Sequence, residues 1–471
     1  MRFEEGSCFA FALRVVLGCG LLAVGVAPGH AQDIAVPDLP VESYTLENGL
    51  RVRLQPDARQ PRVAVAVAYD VGSRDDPPGY RGLAHLVEHL TFRGSRHLAD
   101  TAAMSLVEAV GGRANAFTSA DATVYLAAVP APHLPRLMHI ESQRMGFTLE
   151  ALRDETFDVE VDVVLNEWRE RRSVGSEVHE RIEQACYPEG HPYRHLLDRY
   201  TDVDSIEVDH ARYFMQRHYR PDTATLALVG AFDPEQARAL IERYFGPIRA
   251  QRAAPPRPAA PAVELRGART LRFEAPYARS MLKMRWQVPC VQARCRGELG
   301  LLRSLLVHNS EAMLPLGMGA LASDLDMNLT VREALVEVEL WVELVGDADR
   351  ERALQRLQQT LSSLRSDPPD AQTLSTAWLG YATELLGARQ SLTQRATALA
   401  TGRAGGDTAE LLAAVGAVQP ASVPQLARRL LPADARLLVI VEASDGADRA
   451  GELVQSVGDL APAVAGGATS P

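Results

Sequence analysis

The run His85-Leu86-Val87-Glu88-His89 restricts this chain more than any other feature of its sequence. On an α-helix, positions i, i+3 and i+4 share one face, so two imidazoles and one carboxylate would stand side by side and point the same way. Neutral imidazole nitrogens bind zinc at roughly 2.0–2.1 Å, and two histidines one turn apart can hold one ion. Glu88 would then lie beside the open coordination position, where a base is needed to take a proton from an attacking water.

The H-x-x-E-H order is a recognised zinc-peptidase motif, the inverse of H-E-x-x-H. A catalytic zinc site takes a third protein ligand and keeps a fourth position open. Residues 157–168 offer that ligand: Glu160, Val163, Val164 and Glu167 recur at helical spacing, with an apolar strip between the two acids. Glu167 could complete a His-His-Glu set, and Glu160 could orient a ligand from behind it. An ordinary acidic helix would show the same pattern.

With these residues in this order, the chain resembles the pitrilysin or insulinase family of zinc metallopeptidases, which includes the mitochondrial processing peptidases. Other segments carry the resemblance: Glu47-Asn48-Gly49-Leu50, the strand 63–69, Phe92-Arg93-Gly94-Ser95, Gly111-Gly112-Arg113-Ala114-Asn115-Ala116-Phe117-Thr118, His191-Pro192-Tyr193 and Arg220-Pro221-Asp222. The resemblance implies His85, His89 and Glu167 as ligands of one zinc ion per chain, Glu88 as general base, and Glu160 as a second acidic residue behind the ligands. It also implies that Asn115, Ala116, Phe117 and Thr118 form an edge strand that binds extended peptide by strand addition. Tyr193 could line the cavity or serve the fold. The implied activity is zinc endopeptidase action on peptides or unfolded proteins. The alternative is a non-peptidase structural or assembly subunit of the same fold.

The implied fold is α+β: two similar domains, each an antiparallel sheet packed with helices, together half of a clamshell. The chain's own pattern supports a repeat. A buried-strand pattern at 225–230 leads through Asp233-Pro234 to a helix at 237–245, and a similar strand at 436–441 leads to a predicted helix at 447–457. The expected organisation is a first domain over 41–249, a Pro/Ala-rich linker over 250–262, a second domain over 263–457 and a frayed tail over 458–471.

Half-length relatives generally work as dimers, in which the second unit brings an Arg and a Tyr to the metal. Here Arg332 could match the Arg, but Glu339 stands where the Tyr is expected, and Asp324 replaces an Arg upstream. The expectation is therefore a heterodimer with a homologous subunit that supplies the pair; a homodimer is the alternative.

The first 31 residues read as an export signal: Arg2 and Arg14 precede an apolar run at 15–27 that is short for a membrane span, and Gly29-His30-Ala31 suits a signal peptidase. Cleavage there would leave a periplasmic or secreted protein with no stable membrane span; an uncleaved anchor is the alternative. Cys290 and Cys295 are then the one close cysteine pair, either bridged or free. A net charge of −11, with no aromatic-plus-basic stripe, argues against a nucleic-acid surface.

Overall fold

Val63-Ala64-Val65-Ala66-Val67-Ala68-Tyr69 shows how the first sheet is built. Successive side chains of a strand point to opposite faces. Val63, Val65, Val67 and Tyr69 enter one core, while Ala64, Ala66 and Ala68 enter another on the far side. Both faces of this strand are therefore buried.

The computed structural model describes residues 39–171, 174–195, 202–249, 257–275, 277, 279–290, 292–308, 313–346, 350–402, 408–443 and 454–458. The predicted leader, the first part of the linker and most of the tail lie outside them. The first sheet contains β1 (Glu42–Thr45), β2 (Arg51–Pro56), β3 (Arg62–Tyr69), β4 (Arg113–Thr118), β5 (Thr123–Pro130) and β6 (Ala224–Gly230), in the order β1-β2-β6-β3-β5-β4. The second contains β7 (Arg269–Ala275), β8 (Met281–Val288), β9 (Ala322–Val331), β10 (Val336–Leu344), β11 (Leu437–Ala443) and β12 (Val454–Gly458), in the order β12-β7-β11-β8-β10-β9. With helices packed on both, the architecture is α+β with two similar domains.

The repeat is visible strand by strand. Each sheet has one parallel pair, β2 with β6 and β7 with β11, and the other neighbours are antiparallel. The outermost strand beside each parallel pair differs in origin: β1 precedes β2, whereas β12 follows β11. This corrects the helix predicted at 447–457, whose last residues pair with β7 instead, from Val454 opposite Glu274 to Gly458 opposite Thr270. Val454 and Val457 keep the i, i+3 spacing of a helix, but the outer edge of β7 offers unpaired backbone groups that a helix would leave unused, and pairing with them prevails.

The two halves exchange helices. Leu392–Thr401, from the second half, lays Leu392, Ala396 and Ala400 on the alanine face of the first sheet, against Ala64, Ala66 and Ala227. Small residues on both sides allow this close approach. Val174–Cys186, from the first half, sends Val178, Ile182 and Cys186 against Leu271, Phe273 and Val439 of the second sheet. Buried ion pairs fasten both exchanges, Asp57 to Arg395 and Glu183 to Arg285, each at 2.8 Å.

The described part of the linker is anchored. Arg257 pairs with Asp75 at 2.5 Å, and the Pro261 carbonyl lies 3.0 Å from His191 Nε2. Cys290 and Cys295 are joined in a disulfide, and Cys186 is buried as a thiol.

Replacing Ala396 with Leu should destabilise the protein by about 1–3 kcal/mol through overpacking. Gln394→Leu, at an exposed position of the same helix, should change stability by less than about 0.5 kcal/mol. Urea unfolding midpoints of the two variants check the pair.

Candidate metal centre

The helix bearing the motif, Leu83–Leu90, starts where the backbone is held for it. Gly82 takes a left-handed conformation at φ 92°, which glycine adopts without steric cost. The Asp76 carboxylate accepts the N–H groups of Gly82 and Ala84, each at 2.8 Å, which satisfies donors that a helix start leaves open. Leu83, Ala84, Leu86, Val87 and Leu90 are buried in the core of the first half, so the remaining face presents His85 and His89.

That face packs on the long acidic helix Asp154–Arg171. His85 Nε2 and His89 Nε2 lie 3.3 Å apart, with the rings nearly perpendicular. Glu167 reaches both, its oxygens 3.9 Å from His85 Nε2 and 3.6 Å from His89 Nε2. One ligand atom from each of the three residues lies within 4.8 Å of the others. Two ligands at roughly 2.0–2.1 Å from a tetrahedral ion stand about 3.3 Å apart, so the histidine pair has the spacing that zinc requires.

Behind the histidines, His89 Nδ1 lies 3.0 Å from Glu160, and the guanidinium of Arg93 holds the other Glu160 oxygen. A carboxylate on Nδ1 fixes the ring orientation and leaves Nε2 to face a ligand. Burial works against charge on His89, yet the carboxylates of Glu160, Glu167 and Glu88 outweigh it and raise its pKa. Three acids around two imidazoles make a site that favours a cation. The donors present fit zinc.

Residues 51–198 match the insulinase peptidase family, M16, and residues 205–337 match the inactive domain of M16 peptidases. Together the two matches cover more than half of the chain. The chain belongs to the M16 family. It is 29% identical over 237 residues to the zinc protease PqqE of Helicobacter pylori, across 50% of each chain. It is 28% identical over 222 residues to a probable mitochondrial-processing peptidase subunit beta of Schizosaccharomyces pombe, across 46% of this chain and 48% of that one. The chain spans about half the length of the curated relatives it matches. The crystal structure of a protease from Helicobacter pylori superposes with a TM-score of 0.79 at 20% identity, covering 86% of this chain and 99% of that one; this likeness concerns the fold.

In this M16 chain, Glu88 is buried beside the two histidines, and burial raises its pKa against the opposing hydrogen bond from Thr118. Thr118 Oγ1 donates to Glu88 Oε2 at 2.5 Å. The strand that carries Thr118, β4, is the free edge of its sheet. Along it, Arg113, Asn115 and Phe117 are exposed while Ala114, Ala116 and Thr118 are half-buried. The structure thus gathers His85, Glu88, His89, Glu160, Glu167 and Thr118 at one place, and turns Asn115 and Phe117 to the other face of the edge strand.

The remaining sequence candidates sit at the seam between the halves. Tyr193 donates its hydroxyl hydrogen to Asp121 at 2.6 Å and accepts from Arg74 at 2.9 Å, so it serves the fold. Arg332 is bonded to Glu337 at 2.8 Å and lies over the Tyr193 ring, 5.3 Å from its centroid. It is part of a network that includes the buried Glu337. Glu339 pairs with Lys283 at 3.1 Å.

Sequence reasoning missed Arg93 as the partner of Glu160, Asp76 as the helix cap and Gly72 as a contact point. Arg93 lies one helical turn beyond His89, which is the one signal that could have found it. Gly72 left no pattern. A Cβ there would meet the Ser119 carbonyl at 2.1 Å and that of Ala120 at 2.6 Å. Gly72→Ala should therefore cost about 2 kcal/mol or more and loosen the β4–β5 turn. Unfolding midpoints and hydrogen exchange of the β4 amides check this.

Proposed function

We propose that this chain is the zinc-bearing subunit of an exported M16 endopeptidase that cleaves peptides or unfolded proteins. The observation that carries the reading is the convergence of His85, His89 and Glu167 on one point, with the buried Glu88 carboxylate beside it. One zinc ion held by those three residues would supply Lewis acidity toward a peptide carbonyl and would make water a stronger acid. Glu88 takes the proton of the attacking water and delivers it to the leaving amine. Glu160, steadied by Arg93, keeps His89 turned toward the ion.

The peptide lies along β4. An edge strand offers main-chain donors and acceptors to an extended chain, here from Asn115, Ala116, Phe117 and Thr118. Main-chain pairing tolerates many sequences, so selectivity is broad. The exposed Phe117, 41% accessible, adds an apolar contact on the outer face.

A homologous subunit completes the site. Arg332 is engaged with Glu337 and Tyr193, and Glu339 with Lys283, so this chain's second half has its Arg committed and no Tyr at the matching place. The S. pombe relative is a subunit by its own name. Export, with cleavage after Ala31, agrees with the Cys290–Cys295 disulfide, since disulfides persist in oxidising compartments. Among the described residues no helix is long and apolar enough to cross a membrane.

The deciding experiment measures zinc content and hydrolysis of a quenched peptide for wild type and Glu88→Gln, each with and without the partner subunit. The expected result is equal zinc in both proteins and a loss of about 10²–10⁴-fold in rate for the variant. Zinc retained with no Glu88-dependent hydrolysis in any pairing would instead establish a structural or assembly subunit. Glu160→Gln should weaken zinc binding by roughly 10–100-fold, read by competition with a chromophoric chelator.

A further inference from the structure

Thr118 ends the edge strand, and its hydroxyl is turned inward onto the Glu88 carboxylate rather than outward to a passing peptide. We propose that Thr118 is the positioning residue for Glu88: the last residue of the peptide-binding strand holds the base in its working orientation. The inference rests on the reading of Glu88 as general base and adds to it a residue that acts through Glu88.

The direction of the hydrogen bond is determined by its neighbours. Thr123 stands opposite Thr118 in the β4–β5 register, with the two hydroxyl oxygens 3.5 Å apart. Thr123 spends its single hydrogen on the Val71 carbonyl at 2.9 Å. It is left as an acceptor toward Thr118. Thr118 also has one hydrogen, and the closer acceptor is Glu88 Oε2 at 2.5 Å. An ionised carboxylate accepts only, so the bond runs from Thr118 to Glu88. Among the described residues this is the one hydrogen bond made by the Glu88 carboxylate.

The donor itself is held firmly. The Ser119 carbonyl accepts from Ser73 N at 3.0 Å, the Ala120 carbonyl accepts from Arg74 N at 3.1 Å, and Ser119 N donates to the Ala122 carbonyl at 2.8 Å. Gly72 lets these two turns approach so closely. A glutamate carboxylate swings on several rotatable bonds, and a fixed donor selects one of its orientations. Because a peptide pairs with the backbone of the same strand, its register and the aim of the base share one reference point.

The test uses the zinc-loaded mature chain with its partner subunit, as wild type, Thr118→Val and Thr118→Ser. Valine keeps the shape and removes the hydroxyl; serine keeps the hydroxyl. With zinc content equal, Thr118→Val should lower kcat roughly 10- to 100-fold, the effect of losing one hydrogen bond to a charged group. KM should stay within about twofold of wild type, and Thr118→Ser should recover most of kcat. A raised KM with unchanged kcat would assign the side chain to peptide contact and overturn the proposal. Equal losses in both variants would do the same, by placing the effect in packing.

Crystal structures of the two variants separate this inference from the peptidase reading. If wild type shows no Glu88-dependent hydrolysis, that reading fails, and the structures still decide the role of Thr118. A Glu88 carboxylate that rotates away in Thr118→Val but not in Thr118→Ser supports positioning; one that stays in place in both overturns it.

Discussion

A sheet that is apolar on both faces needs two covers, and everything else in this protein follows from how the second cover is supplied. β3 shows the demand directly, with valines on one side and alanines on the other. Among the described residues, the helices of the first half that pack on this sheet cover its valine side. The alanine side is covered by Leu392–Thr401, and the first half returns Val174–Cys186 to the second sheet. Hydrophobic burial drives each contact, and the pairs Asp57–Arg395 and Glu183–Arg285 set its position. Burial works against charge on Glu183, but Arg285 and His179 outweigh it and hold its carboxyl well below the usual range.

That exchange also braces the site. The acidic helix that carries Glu160 and Glu167 comes just before the exchanged helix Val174–Cys186 in the chain. The turn that follows β4 is held through Asp121 and Arg74 to Tyr193, Glu333 and the seam. The groups that would do chemistry therefore stand on elements whose far ends are packed against the other half. Preorganisation of this kind keeps two imidazoles, one carboxylate ligand and one carboxylate base in place without relying on a flexible loop.

Much of this was legible in the sequence. Helical spacing placed His85, Glu88 and His89 together, and the Glu160/Glu167 face did the same for the acids, because both are local consequences of one period. The repeat was readable from matching strand-and-helix patterns in the two halves, whereas the edge strand came from the family resemblance. What could not be read was non-local. Thr118 was grouped with the substrate-contacting residues, and no spacing rule shows that its hydroxyl turns to Glu88. The helix expected over 447–457 yielded to pairing with β7 in its last residues, a tertiary contact that outweighs a weak local pattern. The pairing of Arg332 with Glu337 and Tyr193 was equally hidden, because the seam brings these partners to it.

The exchanged cover has a consequence for how the chain is made. All strands of the first sheet have been synthesised once Gly230 emerges, yet the helix that protects its alanine face ends at Thr401. Until then that face has no partner of its own. Contacts this distant in sequence form late and slowly, and exposed apolar surface invites aggregation in the interval. The nascent chain must therefore carry a half-dressed sheet through much of its synthesis, and the first half reaches its native form only together with the second.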